Sequence, residues 1–366
     1  MTQQISPWNE AVPQDYAELM EKFGIEPFDK LIDEIPDPSP LMRRKIIFGH
    51  RDFKRILKAI NKGKDYVVMT GLMPSGKMHL GHKLVVDQLI WYLEHNAEIY
   101  LCVADLESHI ARDLSLEEAR EMAIEEYLTN YQALGLDLEK CHVYFQSESD
   151  AVQKLAYELG KKVNFSELKA IYGFGSSTDA SHIFYPMIDA ADILRPQLEE
   201  HEGPITSVVP VGIDQDPHLR LARDIADRLE SEYGFIPPSS TYNRLIPGLT
   251  GKKMSSSEPK SAIFLTDSEE EMEEKISNAV TGGRHTVSEQ REKGGKPDEC
   301  MIYSLYVYHL LPDDEELLEL RKACESGEIV CGECKEKAKQ LLKDFLSEHN
   351  EKRKDVEKIV EKISEK

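Results

Sequence analysis

Two histidines stand three residues apart at the end of a glycine-containing loop, in the segment Thr70-Gly-Leu-Met-Pro-Ser-Gly-Lys-Met-His-Leu-Gly-His82. If a helix begins here, His79 and His82 lie on one face and point toward the same place. The amino end of a helix attracts phosphate, and two imidazoles together with Lys77 can donate hydrogen bonds to a triphosphate. Gly81 has no side chain to keep a nucleotide from packing on the helix. The segment predicts a nucleotide site. The alternative is that the histidines only cap the helix and pack against it.

The elements around this loop alternate between short apolar strands and helices, which predicts an α/β fold with a parallel sheet. The expected elements are strands at 66–70, 99–104, 142–146 and 207–213, and helices near 78–95, 150–160, 183–194 and 217–232, with one more opened by a capping box of Ser115 and Glu118. From about residue 268 onward only helical patterns appear. An all-helical C-terminal domain is therefore expected after the α/β domain.

Length, charge and hydropathy restrict the class of protein. With 366 residues, the chain exceeds the roughly 250–300 residues at which a single core stops growing, so more than one domain is expected. A formal net charge of −22 argues against a protein that coats nucleic acid nonspecifically, because that mode depends on neutralising phosphates. Any RNA contact would be local, and the basic segments 43–45 and 51–64 are candidates for it. The alternative is that these segments are solvated helix faces. No apolar run spans a membrane and no secretory signal opens the chain, so a cytoplasmic, non-membrane protein is expected.

A second segment with chemistry-bearing residues, Lys253-Met-Ser-Ser-Ser257, follows much later. Together with His79-Leu-Gly-His82 it resembles the two signatures of the class I aminoacyl-tRNA synthetases, His-x-Gly-His and Lys-Met-Ser-Lys-Ser. The resemblance implies that an amino-acid carboxylate attacks the α-phosphorus of ATP in line, so the protein must position the reactants and stabilise charge on the departing oxygens. Lys253 would supply a mobile positive charge, and the serines would close over the pyrophosphate. Ser256 stands where the family has a second lysine, so Mg2+ or Lys77 would carry more of the neutralisation.

The resemblance also implies a fold and assigns residues. The first domain would be a Rossmann-like nucleotide-binding parallel sheet. The expected division is an N-terminal extension (1–62), a catalytic domain (63–265) and a helical anticodon-binding domain (266–366). The implied catalytic residues are His79, His82, Lys253, Ser255 and Ser256. The implied ATP-binding residues are Gly71, Pro74, Ser75, Lys77, Gly81, Asp214, Met254 and Ser257.

Four segments are similar to the tryptophanyl branch of this family: 43–52, 212–224, 261–267 and 281–284. The first and last resemble the archaeal and eukaryotic form. The resemblance implies that tryptophan and ATP form tryptophanyl-adenylate and pyrophosphate, and that tryptophan then passes to the 3′ end of tRNA(Trp). It further implies a homodimer joined through the α/β domains, with the opening 60 or so residues near the acceptor arm of the tRNA.

Three positions match those that hold the substrate's α-ammonium group in the tryptophanyl and tyrosyl enzymes: Tyr185, Asp189 and Gln215. Asp189 replaces a residue that is often glutamine. A carboxylate still accepts a hydrogen bond, and its negative charge suits an ammonium group.

Two acids are joint candidates for accepting the hydrogen bond of the indole N–H. Asp192 matches the acceptor of bacterial tryptophanyl enzymes and Glu107 that of the eukaryotic ones, and one acceptor is sufficient. Met69 and Cys102 stand where the eukaryotic pocket has tyrosine and glutamine. Both are included in the tryptophan pocket, with ordinary core packing as the alternative. The missing tyrosine at Met69 weighs against a tyrosine substrate, because a phenol hydroxyl is selected only where the pocket offers it partners.

Four cysteines are concentrated in the helical region. Cys300, Cys324, Cys331 and Cys334 are separated by 23, six and two residues. This spacing resembles, with one extra residue in the first gap, the iron–sulfur motif of some bacterial tryptophanyl enzymes, and thiolates suit a 4Fe-4S cluster or Zn2+. The alternative is four reduced, buried cysteines.

Three other functions compete with tryptophan activation. A tyrosyl-tRNA synthetase shares both signatures. A nucleotidyltransferase acting on a small molecule shares the His-x-Gly-His site but leaves the helical domain unexplained. A non-catalytic paralogue is disfavoured because both signatures are present.

Overall fold

The computed structural model describes residues 16–364, and its centre is one seven-stranded sheet. The strands are β1 (Glu26–Pro27), β2 (Ile47–Arg51), β3 (Tyr66–Leu72), β4 (Ala97–Val103), β5 (Cys141–Phe145), β6 (Ser207–Gly212) and β7 (Ser239–Asn243). Their order is β1-β2-β7-β6-β3-β4-β5. The five strands from β7 to β5 are mutually parallel, while β2 pairs antiparallel with β7 and β1 with β2. The predicted α/β class and parallel sheet are confirmed.

Helices cover both faces of the sheet and form the C-terminal region. They are α1 (Tyr16–Phe23), α2 (Pro40–Arg43), α3 (Phe53–Asn61), α4 (Leu80–Glu94), α5 (Asp105–Arg112), α6 (Leu116–Met122), α7 (Thr129–Ala133), α8 (Asp150–Gly160), α9 (Phe165–Tyr172), α10 (Ala180–Leu194), α11 (Asp216–Arg228), α12 (Glu230–Tyr233), α13 (Glu269–Asn278), α14 (Val287–Lys293), α15 (Met301–Leu305), α16 (Asp314–Ser326) and α17 (Cys331–Ser364). Two π-helical segments, Ala123–Leu128 and Tyr306–Leu310, continue α6 and α15. The expected helical C-terminal region is present.

The predicted strands and helices lie where the sequence placed them, and the capping box of α6 forms as expected. The Ser115 backbone N–H donates to Glu118 at 2.8 Å, and the Glu118 N–H donates to the Ser115 hydroxyl at 3.2 Å. The sequence did not predict strands β1, β2 and β7. β7 reads Ser-Ser-Thr-Tyr-Asn, and all five residues are buried although most are polar, so no apolar run marks it.

Two large apolar cores and a smaller cluster around Phe48 and Tyr242 pack against the sheet. One lies among α8, α9, α10 and α11 and includes Leu155, Ile188 and Ile225. The other runs without a break from Leu84 of α4 to Leu342 of α17. The helical region therefore packs directly on the α/β part through shared apolar contacts. No helix within residues 16–364 has the length and apolar character needed to cross a membrane.

The carboxyl ends of β3 and β6 meet at the middle of the sheet. From β3 the chain crosses to β4 on one side, whereas β6 pairs with β3 on the other. Such a reversal of strand order leaves a crevice beyond the carboxyl ends of the strands, where ligands bind in open α/β sheets. The loop between β3 and α4, which carries the two histidines, opens into this crevice.

Candidate active site

A cavity of about 680 Å³ occupies the crevice. Its lining includes residues from β3, β4 and β6, from α4, α5 and α10, and from the serine-rich segment near residue 255. Of the residues predicted from sequence, it brings together Met69, Gly71, Ser75, His79, Gly81, His82, Cys102, Glu107, Tyr185, Asp189, Asp192, Asp214, Gln215, Lys253, Met254, Ser255, Ser256 and Ser257. Two others, Pro74 and Lys77, lie in the β3–α4 loop without lining the cavity. Their carbonyls accept hydrogen bonds that fix this loop, from the Ser108 hydroxyl at 2.7 Å and the Ser256 hydroxyl at 3.0 Å.

The two imidazoles are held by hydrogen bonds to the start of α4. The Gly81 N–H donates to Nδ1 of His79 at 3.0 Å, and the His79 N–H donates to Nδ1 of His82 at 3.1 Å. Since each Nδ1 accepts, the neutral rings carry their proton on Nε2. Burial lowers the pKa of His79 well below its usual value and that of His82 to about 4. At neutral pH both rings are uncharged N–H donors, so they cap the helix and line the cavity at once.

The two signature segments meet around the same cavity. Besides the bond between Ser256 and Lys77, the Leu80 N–H donates to the Ile263 carbonyl at 3.0 Å, so the start of α4 is tied to the chain that follows the serines. Lys253 is close enough to lower the pKa of His82, after the larger effect of burial. A nucleotide bound against the imidazoles therefore lies within reach of the lysine and serine side chains.

A buried acidic pocket forms the inner part of the cavity. Burial raises the pKa of Glu107, Asp189 and Asp192 to about 7 in each case. Asp214 also lines the cavity. Close carboxyl groups in a poorly solvated place favour a bound cation, because a positive charge compensates the cost of ionising them.

Asp192 is the most enclosed acid, with 1% of its surface exposed. The Tyr144 hydroxyl donates to its Oδ1 at 2.8 Å, and Nε2 of Gln146 donates to its Oδ2 at 2.5 Å. The same Gln146 nitrogen lies 3.3 Å from the Tyr185 hydroxyl. Sequence reasoning missed Tyr144 and Gln146. Their spacing of two along β5 and its end places them on one face, a signal that was available in the predicted strand.

Asp189 has a partner that was also missed. Its Oδ2 lies 3.1 Å from Nδ1 of His218, a buried residue of α11. The Tyr172 hydroxyl lies 3.0 Å from the same nitrogen. Burial lowers the pKa of His218 to about 3, so the ring is neutral and leaves the charge of Asp189 uncompensated. Asp189 is thus available to a cationic ligand.

Comparison with known proteins gives the family. Residues 61–347 match the family model for tRNA synthetases class I (W and Y). The chain belongs to this family. It is 50% identical over 351 residues to the tryptophan–tRNA ligase of Methanocaldococcus jannaschii, covering 95% of each chain, and 50% identical over 351 residues to that of Methanopyrus kandleri, covering 94% of this chain and 92% of that one. The crystal structure of the tryptophanyl-tRNA synthetase of Aeropyrum pernix superposes with a TM-score of 0.91 at 45% identity, covering 96% of each chain.

Three arginines of the basic segments in this class I synthetase form ion pairs. Arg43 and Arg44 both bind Asp314 of α16 through Nε at 2.6 Å. Arg51 binds the buried Asp216 at 2.9 Å. These side chains tie the N-terminal segment to the helical region and to α11.

The four C-terminal cysteines converge in the synthetase. Cys300, Cys324, Cys331 and Cys334 all line one small pocket, with a volume of about 20 Å³, in the helical region. Within residues 16–364, however, no three His, Cys, Asp or Glu side chains are arranged so that they could hold a metal ion directly. The predicted convergence is present, and the predicted metal is not supported by a preformed ligand set.

Proposed function

We propose that this chain is a tryptophan–tRNA ligase. It would activate tryptophan with ATP to tryptophanyl-adenylate and pyrophosphate, and transfer tryptophan to the 3′ end of tRNA(Trp). The observation that carries the proposal is the single cavity in which the imidazole pair, Lys253 and the serines face a buried acidic pocket. The relatives described above bear the same activity in their names.

The chemistry of activation follows from this arrangement. The tryptophan carboxylate forms a bond to the α-phosphorus, the bond to the bridging oxygen breaks, and its electron pair leaves with pyrophosphate. The Nε2–H groups of His79 and His82 donate hydrogen bonds to phosphate oxygens. Lys253 and the serine hydroxyls stabilise the negative charge that develops on the leaving pyrophosphate. Mg2+ would arrive on the phosphates of ATP and add positive charge there.

Tryptophan is expected to bind with its ammonium group among Tyr185, Asp189 and Gln215. Glu107 belongs on this side, since the charges of Asp189 and Asp214 act on it. Asp192 is then the better acceptor for the indole N–H, because two donors already fix its carboxylate at the enclosed end. Each of its oxygens retains a further lone pair for the ligand.

Amino-acid-dependent pyrophosphate exchange tests the reaction and its specificity together. Exchange is expected with tryptophan and not with tyrosine, followed by charging of a tRNA(Trp) transcript. Exchange with tyrosine alone would establish the tyrosyl alternative. Exchange with neither would leave the nucleotidyltransferase or non-catalytic alternatives.

The two candidate indole acceptors can be separated with a tryptophan analogue whose ring sulfur replaces the N–H. Asp192→Asn should lower kcat/KM for tryptophan more than for the analogue, because it replaces a charged acceptor by a neutral one and only tryptophan donates to that acceptor. Glu107→Gln should affect both substrates equally through the ammonium group. The reverse pattern would assign the indole to Glu107.

We also propose a homodimer in the cytoplasm, with the domain boundaries at 62 and 265 and tRNA reading by residues 266–366. Exposed aromatic side chains on the α/β part, Tyr157 of α8 and Phe165 of α9, support an interface there. Light scattering of the purified chain tests the dimer, and Tyr157→Lys with Phe165→Lys should yield monomers if this surface is the interface.

A 4Fe-4S cluster held by the four cysteines is a second proposal, on different observations. Gly283 and Gly295 lie beside the thiols, where an added Cβ would stand 2.6 Å from the Cys331 sulfur and 2.8 Å from the Cys324 sulfur. Nε2 of the buried Gln290 lines the same pocket and has no hydrogen-bond partner in the described chain. An N–H donor facing sulfur suits a cluster, whose sulfurs accept such bonds.

The same four thiols also suit Zn2+. Cys300, Cys324, Cys331 and Cys334 would hold the cluster, which would cross-link α15, α16 and α17. Iron and acid-labile sulfide measured after anaerobic purification test this. Zinc at one atom per chain, or neither metal, would overturn it.

A further inference from the structure

One stripe of α4 faces the helical region. His79, Lys83 and Asp87 follow one another at intervals of four residues, so they lie along one side of the helix. The Lys83 ammonium group binds both oxygens of Asp87 at 2.7 Å. It also lies 5.8 Å from the ring centroid of Phe345 in α17. The stripe thus extends from the phosphate-facing imidazole to the contact with the C-terminal helices.

His309 approaches this stripe from the other side of the contact. It belongs to the π-helical segment Tyr306–Leu310, and its side chain is 1% exposed. Its Nδ1 lies 3.7 Å from Oδ2 of Asp87, beyond ordinary hydrogen-bonding distance. The Asp87 carboxylate and the Leu80 backbone nevertheless act on the ring as long hydrogen-bond partners, and both oppose the fall in its pKa that burial causes. A buried polar ring whose partners lie too far away for full hydrogen bonds costs free energy. A movement of well under 1 Å would close the gap to Asp87.

The backbone around His309 is firmly placed. Arg44 donates to the Val307 carbonyl at 2.7 Å and to the Pro312 carbonyl at 3.0 Å. The ion pairs of Arg43 and Arg44 with Asp314 hold the far end of the same turn. The position of the His309 ring therefore depends on how the helical region docks on the N-terminal segment.

The His309 ring also affects the pKa of His79 in the His-x-Gly-His segment. Burial is the main cause that lowers the pKa of His79, followed by His82 and Lys253, and His309 contributes in the same direction. His309 is consequently near both ends of the stripe, the imidazole at one and the carboxylate at the other.

We propose that His309 is a positioning residue for adenylate formation: when ATP is bound, its Nδ1–H donates to Asp87, and this contact holds the first turn of α4 so that His79 keeps its aim into the cavity. The helical region thereby influences the chemical step without contacting the substrate. The inference rests on the proposed role of His79.

Two substitutions test it against a matched control. His309→Phe removes both nitrogens, whereas His309→Gln retains an N–H donor that can reach Asp87. The control is His349→Gln, since His349 is another buried histidine of the helical region, bonded at 2.7 Å to Asn130. For each variant, kcat and the KM for ATP are measured by tryptophan-dependent pyrophosphate exchange, together with Tm.

His309→Phe should lower kcat about tenfold with the KM for ATP within twofold, because the contact acts in the transition state. His309→Gln should restore at least half of the lost kcat, and His349→Gln should keep kcat within twofold whatever its Tm. An unchanged kcat in His309→Phe, equal damage in His309→Gln, or equal damage in His349→Gln would overturn the inference. His79→Asn separates the premises. If it leaves kcat intact, the proposed role of His79 fails. If it lowers kcat at least a hundredfold while His309→Phe does nothing, only this inference fails.

Discussion

Gly81→Ala should inactivate the enzyme without unfolding it. A Cβ at residue 81 would lie 2.7 Å from Cε1 and 2.8 Å from Nδ1 of His79. Real Cβ atoms do not approach that closely, so the imidazole must move and the hydrogen bond from the Gly81 N–H to Nδ1 is lost. The substitution therefore displaces a phosphate donor directly.

The effects on stability should nearly cancel. Alanine in place of glycine favours a helix by up to about 1 kcal/mol, while loss of the capping bond costs about 1 kcal/mol. We expect a change in Tm of no more than about 3 °C. Removing one donor that stabilises developing charge typically lowers kcat by a factor of about 10² to 10³. Activity should fall by that amount while the fold persists.

The assay is pyrophosphate exchange with thermal unfolding on the same preparations, and Gly160→Ala is the matched control. Gly160 ends α8, and an added Cβ there meets no atom within 4 Å. Gly160→Ala should keep kcat and gain slightly in Tm. The reasoning is refuted if Gly81→Ala retains more than a third of the wild-type kcat, or if it loses activity only in proportion to a fall in Tm.

Four further outcomes follow, three from the active site and one from the cysteine pocket. The KM for tryptophan should fall as pH rises from about 6 to 8, because Glu107 and Asp189 on the ammonium side have pKa values raised to about 7 and attract the ammonium group only when ionised. A flat profile in exchange assays would contradict this. In the free protein the raised pKa values add stability at low pH that is lost as pH rises through about 7. Since a bound ammonium group compensates the ionised acids, tryptophan should increase Tm more at pH 8 than at pH 6. Gln146→Leu should lower kcat/KM for tryptophan about tenfold, because a charge-assisted hydrogen bond to Asp192 contributes about 1.5–3 kcal/mol. An unchanged kcat/KM in steady-state exchange would show that Gln146 does not position Asp192. Cys331→Ser should reduce bound iron to less than half in anaerobic preparations while exchange activity stays within threefold, and full iron content would remove Cys331 from the ligand set.

Much of the fold could be predicted from sequence because the parallel strands are apolar on both faces. β3 and β4 read as continuous apolar runs, and the capping box of Ser115 and Glu118 marked the start of α6. β7 was missed because its buried polar residues are stabilised by neighbours distant in sequence. The Tyr242 hydroxyl, for example, donates to Asp216 at 2.6 Å.

The residues of the candidate site also fall into those that could be predicted from sequence and those that could not. His79, His82 and Gly81 could be found because their relationship is local, within one turn of a helix. The roles of Tyr144, Gln146 and His218 depend on which side chains of β5, α10 and α11 converge, and one-dimensional spacing does not contain that information. The pairing of Arg44 with Asp314 is likewise a contact across 270 residues.

The acidic pocket shows why the distant contacts matter most for specificity. Three carboxyl groups sharing one buried pocket are costly to ionise, and in the empty site their pKa values rise toward neutrality. A ligand with a positive charge removes that cost, whereas a neutral analogue of the same shape leaves it in place. The ammonium group is therefore selected by electrostatics as well as by hydrogen bonds. At the enclosed end, the hydrogen-bond donors of Tyr144 and Gln146 are already bonded to Asp192. The Asp192 carboxylate therefore faces the ligand as an acceptor. An indole N–H satisfies it, while a purely apolar ring of equal size would leave a buried carboxylate without a further partner. Under the proposed function, the two ends of the cavity would therefore select opposite ends of one amino acid.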